Sequence, residues 1–501
     1  MSKPIGKVYI AGAGPGDPGL VTYKCFEILK KADVIIYDYL ACKDLLSYSK
    51  VGAEKIYVGK TGSTHEMEQD EINELMVRKA KEHPIVLRLK GGDPFIFGRG
   101  GEEALYLAEQ GIPYEIIPGV SSSFAVPAFA GIPLTHRGLS SQVVIVTGHE
   151  AEGKKDSAID WKMLATFKGT IVVLMGMKNL GSITANLLDS GMDPDTSVCV
   201  IEWGATPKQR VLVSNIKNVD RDVKNASMGP PSVVVIGDVV RLREKLKWYE
   251  KLPLHGKTIV VTRPPHQGFE TAAMLKERGA NVVTIPAIVI TPIIPNEALT
   301  KALESLRSYH GIIFTSVNGV KVFFEALSMK GMDSRDLYGI KVFAIGPKTA
   351  SELKLYGIRA DFVPERYLSQ SIIEILGKIE VKGKKFLFPR ALEGNETIPK
   401  FIQASGGVCD VIPVYKAEAP PDKQNIEEIP DMIAFMSSSA VRNFVTMYGR
   451  EVLTKTKIAS IGPETTKTLK SFNIEIHVEA KRHDALGLVE EIERFFKGTC
   501  L

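Results

Sequence analysis

Residues Val8–Thr22 read VYIAGAGPGDPGLVT, an apolar run that enters a turn through Gly12, Gly14 and Gly16. A strand feeding such a turn resembles the phosphate loop of a dinucleotide-binding unit. The spacing does not fit. The third glycine of that fingerprint would fall at position 17, where Asp17 stands, and Pro15 removes an N–H that a pyrophosphate would need. The loop is therefore not expected to hold an anion. On its own it leaves open an ordinary glycine-rich connection between strand and helix.

Working outward, short apolar runs (VYIAGAG, ADVIIYD, PIVLRLKGG, QVVIVTGH, TIVVLMGM, SVVVIGDVV) alternate with longer amphipathic segments, which predicts an α/β fold. After Val240 comes the charged stretch RLREKLKWYEKL, and the strand rhythm restarts at Thr258, so the main boundary is expected near 246–255. The second half carries an internal echo. IIFTSVNGVKVFF from Ile312 returns as MIAFMSSSAVRNF from Met432, and KVFAIGPKTASELKLYGI from Lys341 as KIASIGPETTKTLKSFNI from Lys457. The order and near-constant spacing predict two similar lobes. The proline-containing stretches ITPIIP and AEAPPD bracket the first echo unit as extended crossings between lobes would. A plain duplication without a shared cleft stays open here.

Composition narrows the function classes. With 501 residues, 44% hydrophobic and 24% charged, the chain is long enough for several cores of ordinary globular type. Its net charge of +5 and the lack of basic blocks with interleaved aromatics give no nucleic-acid surface. Five scattered cysteines without a C-x-x-C pair, and nine histidines without ligand spacing, predict neither a disulfide framework nor a metal site. No apolar run nears the ~20 residues of a membrane span, and MSKPIGK runs straight into a strand rather than a signal segment, so a cytoplasmic protein is expected.

Taken together, GAGPGDPGLVT, YDYLA (Tyr37–Ala41), RLKGGDPFIFGRGGEE (Arg88–Glu103), IPGVSSSFAVPAFAGIPLTHRG (Ile117–Gly138), VVLMGM (Val172–Met177) and EWGATPKQR (Glu202–Arg210) resemble, in order, the uroporphyrinogen-III C-methyltransferases of the tetrapyrrole methylase family. The resemblance covers about residues 5–245. It implies two α/β lobes that hold S-adenosylmethionine folded between them, in a homodimer formed through this half. A cationic sulfonium ligand also suits a loop that lacks the Pro15 donor. The resemblance assigns donor contacts to Pro15, Gly91, Gly92, Asp93, Ser121, Ser122, Met175, Gly204 and Ser232. Methyl transfer to a pyrrole carbon depends mostly on positioning and desolvation. The acceptor is ringed by carboxylates, which guanidinium groups grip well, and Arg99 and Arg137 match arginines of the motifs. Glu102 can orient Arg99 across three residues of a helix. Asp38 and Arg99 are the candidates for receiving the ring proton. An arginine is a poor base, with a pKa above ~12, so Asp38 is read as the polar partner and Arg99 as a carboxylate clamp.

The remaining chain, about 255–501, resembles uroporphyrinogen-III synthase through VVTRPPHQ (Val260–Gln267), IIFTSVNGV, VFAIGPKTA, FLFPRALEG (Phe386–Gly394), VIPVYKAEAP (Val411–Pro420), FMSSSAV and SIGPETT. One departure is KRHDALGLVEEI, where that family often shows a tyrosine-threonine pair before the glycine. The resemblance implies a two-lobed α/β synthase with parallel sheets and an inter-lobe cleft, following the two-lobed methylase fold. Its domains are expected at 1–245 and 255–501, with a linker at 246–254. Lobe one of the synthase would take 255–290 plus 420–501, and lobe two 291–419. Thr315, Ser316, Asn318, Thr349, Ser437, Ser438, Ser439 and Thr465 follow apolar strands and open helices, so their hydroxyls and nearby amides are candidate carboxylate contacts, although helix capping would also explain them. Arg263 and Arg390 are candidate carboxylate contacts too, and Tyr415 can donate to the departing hydroxyl. The implied chemistry joins up: hydroxymethylbilane is closed with ring D inversion to uroporphyrinogen III, which S-adenosylmethionine methylates twice to precorrin-2 on the way to siroheme and cobalamin. Other readings are a methyltransferase for a later precorrin or a protein, and a non-enzymatic two-lobed binding module for the second half.

Overall fold

The computed structural model describes residues 4–41, 43–50, 52–59, 67–149, 158–262, 265–364, 369–394, 396–420, 426 and 428–498. It divides into two compact units, one of residues 1–259 with 269–283 and 485–501, the other of 260–268 with 284–484.

The first unit holds two sheets. Strands β1 (Lys7–Gly12), β2 (Val34–Tyr37), β3 (Glu54–Tyr57), β4 (Ile85–Lys90) and β5 (Tyr114–Ile117) form a wholly parallel sheet in the order β3-β2-β4-β1-β5. Their β-branched runs are buried on both faces, as helix-covered parallel strands require: Val8, Ile10, Val34, Ile35, Ile36 and Val86 have no exposed surface. From β1 the chain passes over β4 to reach β2, and from β4 it passes over β1 to reach β5. The connections after β1 and β4 therefore diverge, and a crevice opens at the carboxyl ends of these two neighbours, the place where open α/β sheets bind ligands. The glycine loop after β1 and the Gly91–Asp93 loop after β4 lie there.

The second sheet consists of β6 (Val143–Thr147), β7 (Thr170–Leu174), β8 (Ser197–Glu202), β9 (Arg210–Asn215) and β10 (Ser232–Ile236), in the order β6-β7-β10-β8-β9. Only β6 and β7 are parallel; β10 runs antiparallel to β7 and β8, and β9 antiparallel to β8. The loop of residues 203–209 is too short for a crossover, so β9 must return beside β8.

Farther along lie β11 (Thr258–Val261) and β12 (Asn281–Thr284), through which the division into units passes. In the second unit β13 (Val289–Pro292), β14 (Gly311–Phe314), β15 (Lys341–Ala344), β16 (Lys385–Ala391) and β17 (Val408–Glu418) form a sheet in the order β13-β17-β16-β14-β15. It is parallel except for β13, which pairs antiparallel with the far end of β17, Val289 opposite Glu418 and Pro292 opposite Tyr415. These are the two crossings marked by the proline stretches. The other lobe carries β18 (Met432–Phe435), β19 (Lys457–Ser460) and β20 (Val478–Glu479), all parallel, and the amide and hydroxyl of Thr262 tie the end of β11 to the Ala434 carbonyl.

The echo becomes repeated structure. Phe314 meets Phe323 edge-on at 5.4 Å in one lobe, and Phe435 meets Phe444 edge-on at the same distance in the other. Ser316 caps helix Val317–Met329 by accepting from the Gly319 amide, and Ser437 caps Ser438–Tyr448 by accepting from Ala440. The Gly-Pro pairs open Pro347–Leu355 and Pro463–Ser471 with proline in the first turn. No described helix is long and apolar enough to cross a membrane.

Candidate functional site

The crevice of the first sheet is built from backbone. Gly14 and Gly92 bridge each other, the Gly92 amide donating to the Gly14 carbonyl at 2.7 Å, and both sit at positive φ, +80° and +65°. A Cβ on Gly12 would lie 2.4 Å from the Gly92 carbonyl oxygen, and one on Gly119 only 2.2 Å from it. The loops after β1, β4 and β5 thus meet main chain to main chain, an approach only glycine permits. Asp93 fixes this junction: one carboxylate oxygen accepts from the Gly119 amide at 3.0 Å, the other from Phe95 at 2.8 Å. Gly91 presses on Leu40, where a Cβ would come within 2.4 Å of that side chain. Pro15 is half-buried beside Gly16. Asp17, which stands where the dinucleotide glycine would be, accepts from the Gly19 amide and caps the next turn.

The second lobe meets this crevice through loops with a strained backbone. Met175, Trp203 and Ala205 all lie at positive φ without being glycine, a conformation that persists only where surrounding contacts hold it and that clusters at functional sites. Gly204 packs on helix Ser122–Phe129, where a Cβ would meet Val126 at 2.2 Å, and Gly16 faces Thr206. At the start of that helix Ser121 is the N-cap, accepting from the Ser123 amide, and Ser122 follows half-buried. Ser232 opens β10 and donates to the Gly229 carbonyl. The donor residues inferred by resemblance therefore lie on the loops after β1, β4, β5, β7 and β8 and at the start of β10.

Beside the crevice is a buried charge network. Arg88 and Lys90 alternate along β4 and share a face. Glu103, with no exposed surface, accepts from Lys90 Nζ at 2.8 Å and Arg88 Nε at 3.1 Å. Arg88 reaches on to Asp38 Oδ2 at 3.2 Å, while Asp38 Oδ1 is buried without a hydrogen-bond partner among the described residues. Burial pulls the Lys90 ammonium below its ordinary pKa, and the Arg88 charge acts the same way, against the pull of Glu103. Arg99 and Glu102 form a different pair. Arg99 is the left-handed N-cap of helix Gly100–Glu109, and its guanidinium meets Glu102 in a two-pronged pair at 2.7–3.1 Å, more than half exposed on both sides. The Glu102 hydrogen bond raises the Arg99 pKa above its ordinary value. Arg137 is exposed in the 136–140 turn.

In the second unit the structure joins two of the candidates. Tyr415, 7% exposed, donates from its hydroxyl to Ser316 Oγ at 2.9 Å, at the point where β17 leaves β16 to pair with β13. Burial raises its pKa, and the Ser316 bond opposes the shift. Thr315 and Asn318 flank this cap half-buried. Thr349 and Thr465 hold equivalent buried places in the first turns of the two Gly-Pro helices. In the other lobe Ser437 and Ser439 share a 3.2 Å hydrogen bond, and Ser438 donates to the Glu464 carbonyl. Arg390 is buried and paired with Glu396, its guanidinium over the Phe388 ring. Arg263 lies outside the described residues. At the departure from the family pattern, His483 rests against Gly462.

Sequence reasoning missed Arg88, Lys90, Glu103, Trp203 and Ala205. The available signal was charge at alternate positions inside the apolar strand IVLRLK, which a buried strand tolerates only with partners.

Comparisons with known proteins follow the same division. The family described as tetrapyrrole (corrin/porphyrin) methylases matches residues 7–220, and the family described as uroporphyrinogen-III synthase HemD matches 270–490. The porphyrin biosynthesis protein HemD of Ruminiclostridium josui is 36% identical over 486 residues, 95% of each chain. A uroporphyrinogen-III C-methyltransferase of Bacillus subtilis is 48% identical over 246 residues, 49% of this chain and 95% of that one. The crystal structure of a uroporphyrin-III C-methyl transferase from Thermus thermophilus complexed with S-adenyl homocysteine is 40% identical, covering 47% of this chain and all of that one with a TM-score of 0.42. The chain belongs to the porphyrin biosynthesis proteins in which a tetrapyrrole methylase is followed by a HemD-type uroporphyrinogen-III synthase.

Proposed function

We propose that this chain performs two consecutive steps of tetrapyrrole synthesis: residues 255–501 close hydroxymethylbilane with inversion of ring D to uroporphyrinogen III, and residues 1–245 methylate that product twice to precorrin-2. The observation that carries the reading is the similarity along 95% of both chains to a porphyrin biosynthesis protein HemD, with a methylase and a synthase family matching in turn.

Bound S-adenosylmethionine would supply an electrophilic methyl group. The chain's part is to hold it and keep water out. The glycine junction of Gly12, Gly92 and Gly119 offers a close backbone wall, and Pro15 beside it has no N–H to give a pyrophosphate, which suits a zwitterionic cationic donor better. Pro15, Gly91, Gly92, Asp93, Ser121, Ser122, Met175, Gly204 and Ser232 are the residues that would hold it. Among the described residues Asp38 keeps one buried carboxylate oxygen without a partner while Arg88 grips the other, which supports Asp38 as the polar partner of the macrocycle. The exposed Arg99 and Arg137 suit the carboxylate rim. In the synthase half, Tyr415 and Ser316 form the hydroxyl pair that would assist loss of the terminal hydroxyl. Homodimerisation through the methylase half, action in the cytoplasm and a place before both siroheme and cobalamin complete the reading.

The test supplies each half with its own substrate. Labelled methyl groups should pass from S-adenosylmethionine to uroporphyrinogen III, and hydroxymethylbilane should yield the type III isomer. Failure of either reaction removes that half of the reading.

A further inference from the structure

The segment between the two families is charged and reads as a tether, yet its residues are spent on the methylase. Trp248 Nε1 donates to the Ala128 carbonyl at 3.0 Å, and its ring packs on Phe129 at 5.3 Å. Tyr249 stands edge-on to Phe129 at 4.9 Å. Arg243 donates to the Ala130 carbonyl and, at 3.2 Å, to Glu250 Oε1. Gly131, at φ +72°, leaves room for the Leu246–Lys247 main chain, which a Cβ there would strike at 2.6 Å. Apart from the Arg243–Glu250 pair, these contacts fall on the carboxyl end of helix Ser122–Phe129 and the turn after it. The amino end of that helix carries Ser121 and Ser122.

A second line of contacts reaches the strained turn of the other lobe. Glu250 Oε1 accepts from Gln209 Nε2 at 2.9 Å, and Gln209 Oε1 accepts from the Ala205 amide at 3.1 Å. Gln209 is 3% exposed and Ala205 wholly buried, so this amide has no water to replace a lost acceptor. Trp203 and Ala205 hold left-handed backbone on either side of Gly204, and such a turn keeps its shape only if its surroundings over-determine it.

We propose that residues 243–250 are a brace of the methyl-donor site, with Glu250 and Gln209 as positioning residues that hold the Trp203–Gly204–Ala205 turn. The inference rests on the reading of the first half as an S-adenosylmethionine enzyme. It assigns to the join between the halves a structural duty toward one of them.

The test uses the full chain and calorimetric titration with S-adenosylhomocysteine. Glu250→Ala removes the acceptor for Gln209 and should weaken binding by about 10-fold, whereas Glu250→Gln keeps an acceptor oxygen and should stay within about threefold of wild type, a tenfold change corresponding to about 1.4 kcal/mol. Trp248→Phe keeps the ring and loses only its N–H, and should weaken binding by about two- to fivefold. The KM for S-adenosylmethionine should rise more than kcat falls, and turnover of hydroxymethylbilane should be unchanged in all three. A Glu250→Ala protein that melts like wild type and binds S-adenosylhomocysteine with wild-type affinity overturns the proposal. So does equal weakening by Glu250→Ala and Glu250→Gln. A wild-type chain that binds no S-adenosylhomocysteine would instead refute the methyltransferase reading itself. If Glu250→Ala does not fold, Trp248→Phe decides, and wild-type affinity there overturns the brace.

Discussion

Glu102 and Glu103 are neighbours of identical chemistry, and the structure predicts opposite consequences for replacing them by leucine. Glu103 is fully buried and accepts from Lys90 and Arg88, which are themselves 5% and 3% exposed. Glu103→Leu would strand two buried cations with Asp38 as the remaining carboxylate of the network. Breaking a buried pair from one side costs about 3–5 kcal/mol, because the uncompensated charge stays behind. Glu102→Leu removes only a solvated pair with Arg99, worth at most about 1 kcal/mol. For a domain of this size each kcal/mol shifts the melting temperature by roughly 2–4 °C, so losses of roughly 6–20 °C and at most about 4 °C are expected. A chain with two units does not melt in one step. Intrinsic fluorescence isolates the relevant one, since the three tryptophans, Trp161, Trp203 and Trp248, all lie before residue 259. Burial already holds the Lys90 ammonium below its ordinary pKa. The unfolded chain binds that proton more readily, so the Glu103→Leu defect should shrink as pH rises from neutrality toward the ordinary lysine value. Adding Lys90→Met should recover part of the loss. Equal, small shifts for the two glutamate variants would refute the buried network.

Three further outcomes are expected. Asp93→Ala frees the Gly119 and Phe95 amides and should weaken S-adenosylmethionine binding by about 1.5–3 kcal/mol, read by calorimetry, with macrocycle closure untouched; unchanged affinity would sink the assignment. Tyr415→Phe should slow the synthase by about 10- to 100-fold, or ~1.4–2.8 kcal/mol, and let the uninverted type I isomer accumulate, while methylation of supplied uroporphyrinogen III continues; a wild-type isomer ratio and rate would leave Tyr415 a packing residue. Burial pushes the Cys25 and Cys199 thiols up to about 12, so alkylation at pH 8 should require denaturant, and rapid labelling of either in the native protein, seen by peptide mass, would contradict their placement.

Legibility in the sequence followed the physics of each element. Strands such as TIVVL and SVVVI were visible because two-sided burial demands continuous apolar, β-branched runs. That same property hid direction: β10 is antiparallel to both neighbours, and a strand buried on both faces reads alike either way. The repeated lobes were visible because Ser316 and Ser437 cap helices at matching places, a local requirement written into adjacent residues. Long-range pairing was not. Glu103 lies 13 residues from Lys90 and is told from Glu102 only by the helical turn that sends it inward. The stretch RLREKLKWYEKL looked like a solvated linker because its lysines dominate, whereas Trp248 and Tyr249 decide its fate by packing on Phe129. The pairing of Arg390 with Glu396 was hidden as well, because it depends on the strand position that buries Arg390.

One reaction tests the central claim most directly. The full chain is incubated, under reducing conditions, with hydroxymethylbilane and S-adenosylmethionine and no other enzyme, and the tetrapyrrole is identified by mass and isomer type. The account predicts a dimethylated macrocycle of the type III arrangement, precorrin-2, with two equivalents of S-adenosylhomocysteine released. An unmethylated macrocycle, or one left in the uninverted type I arrangement, would contradict it.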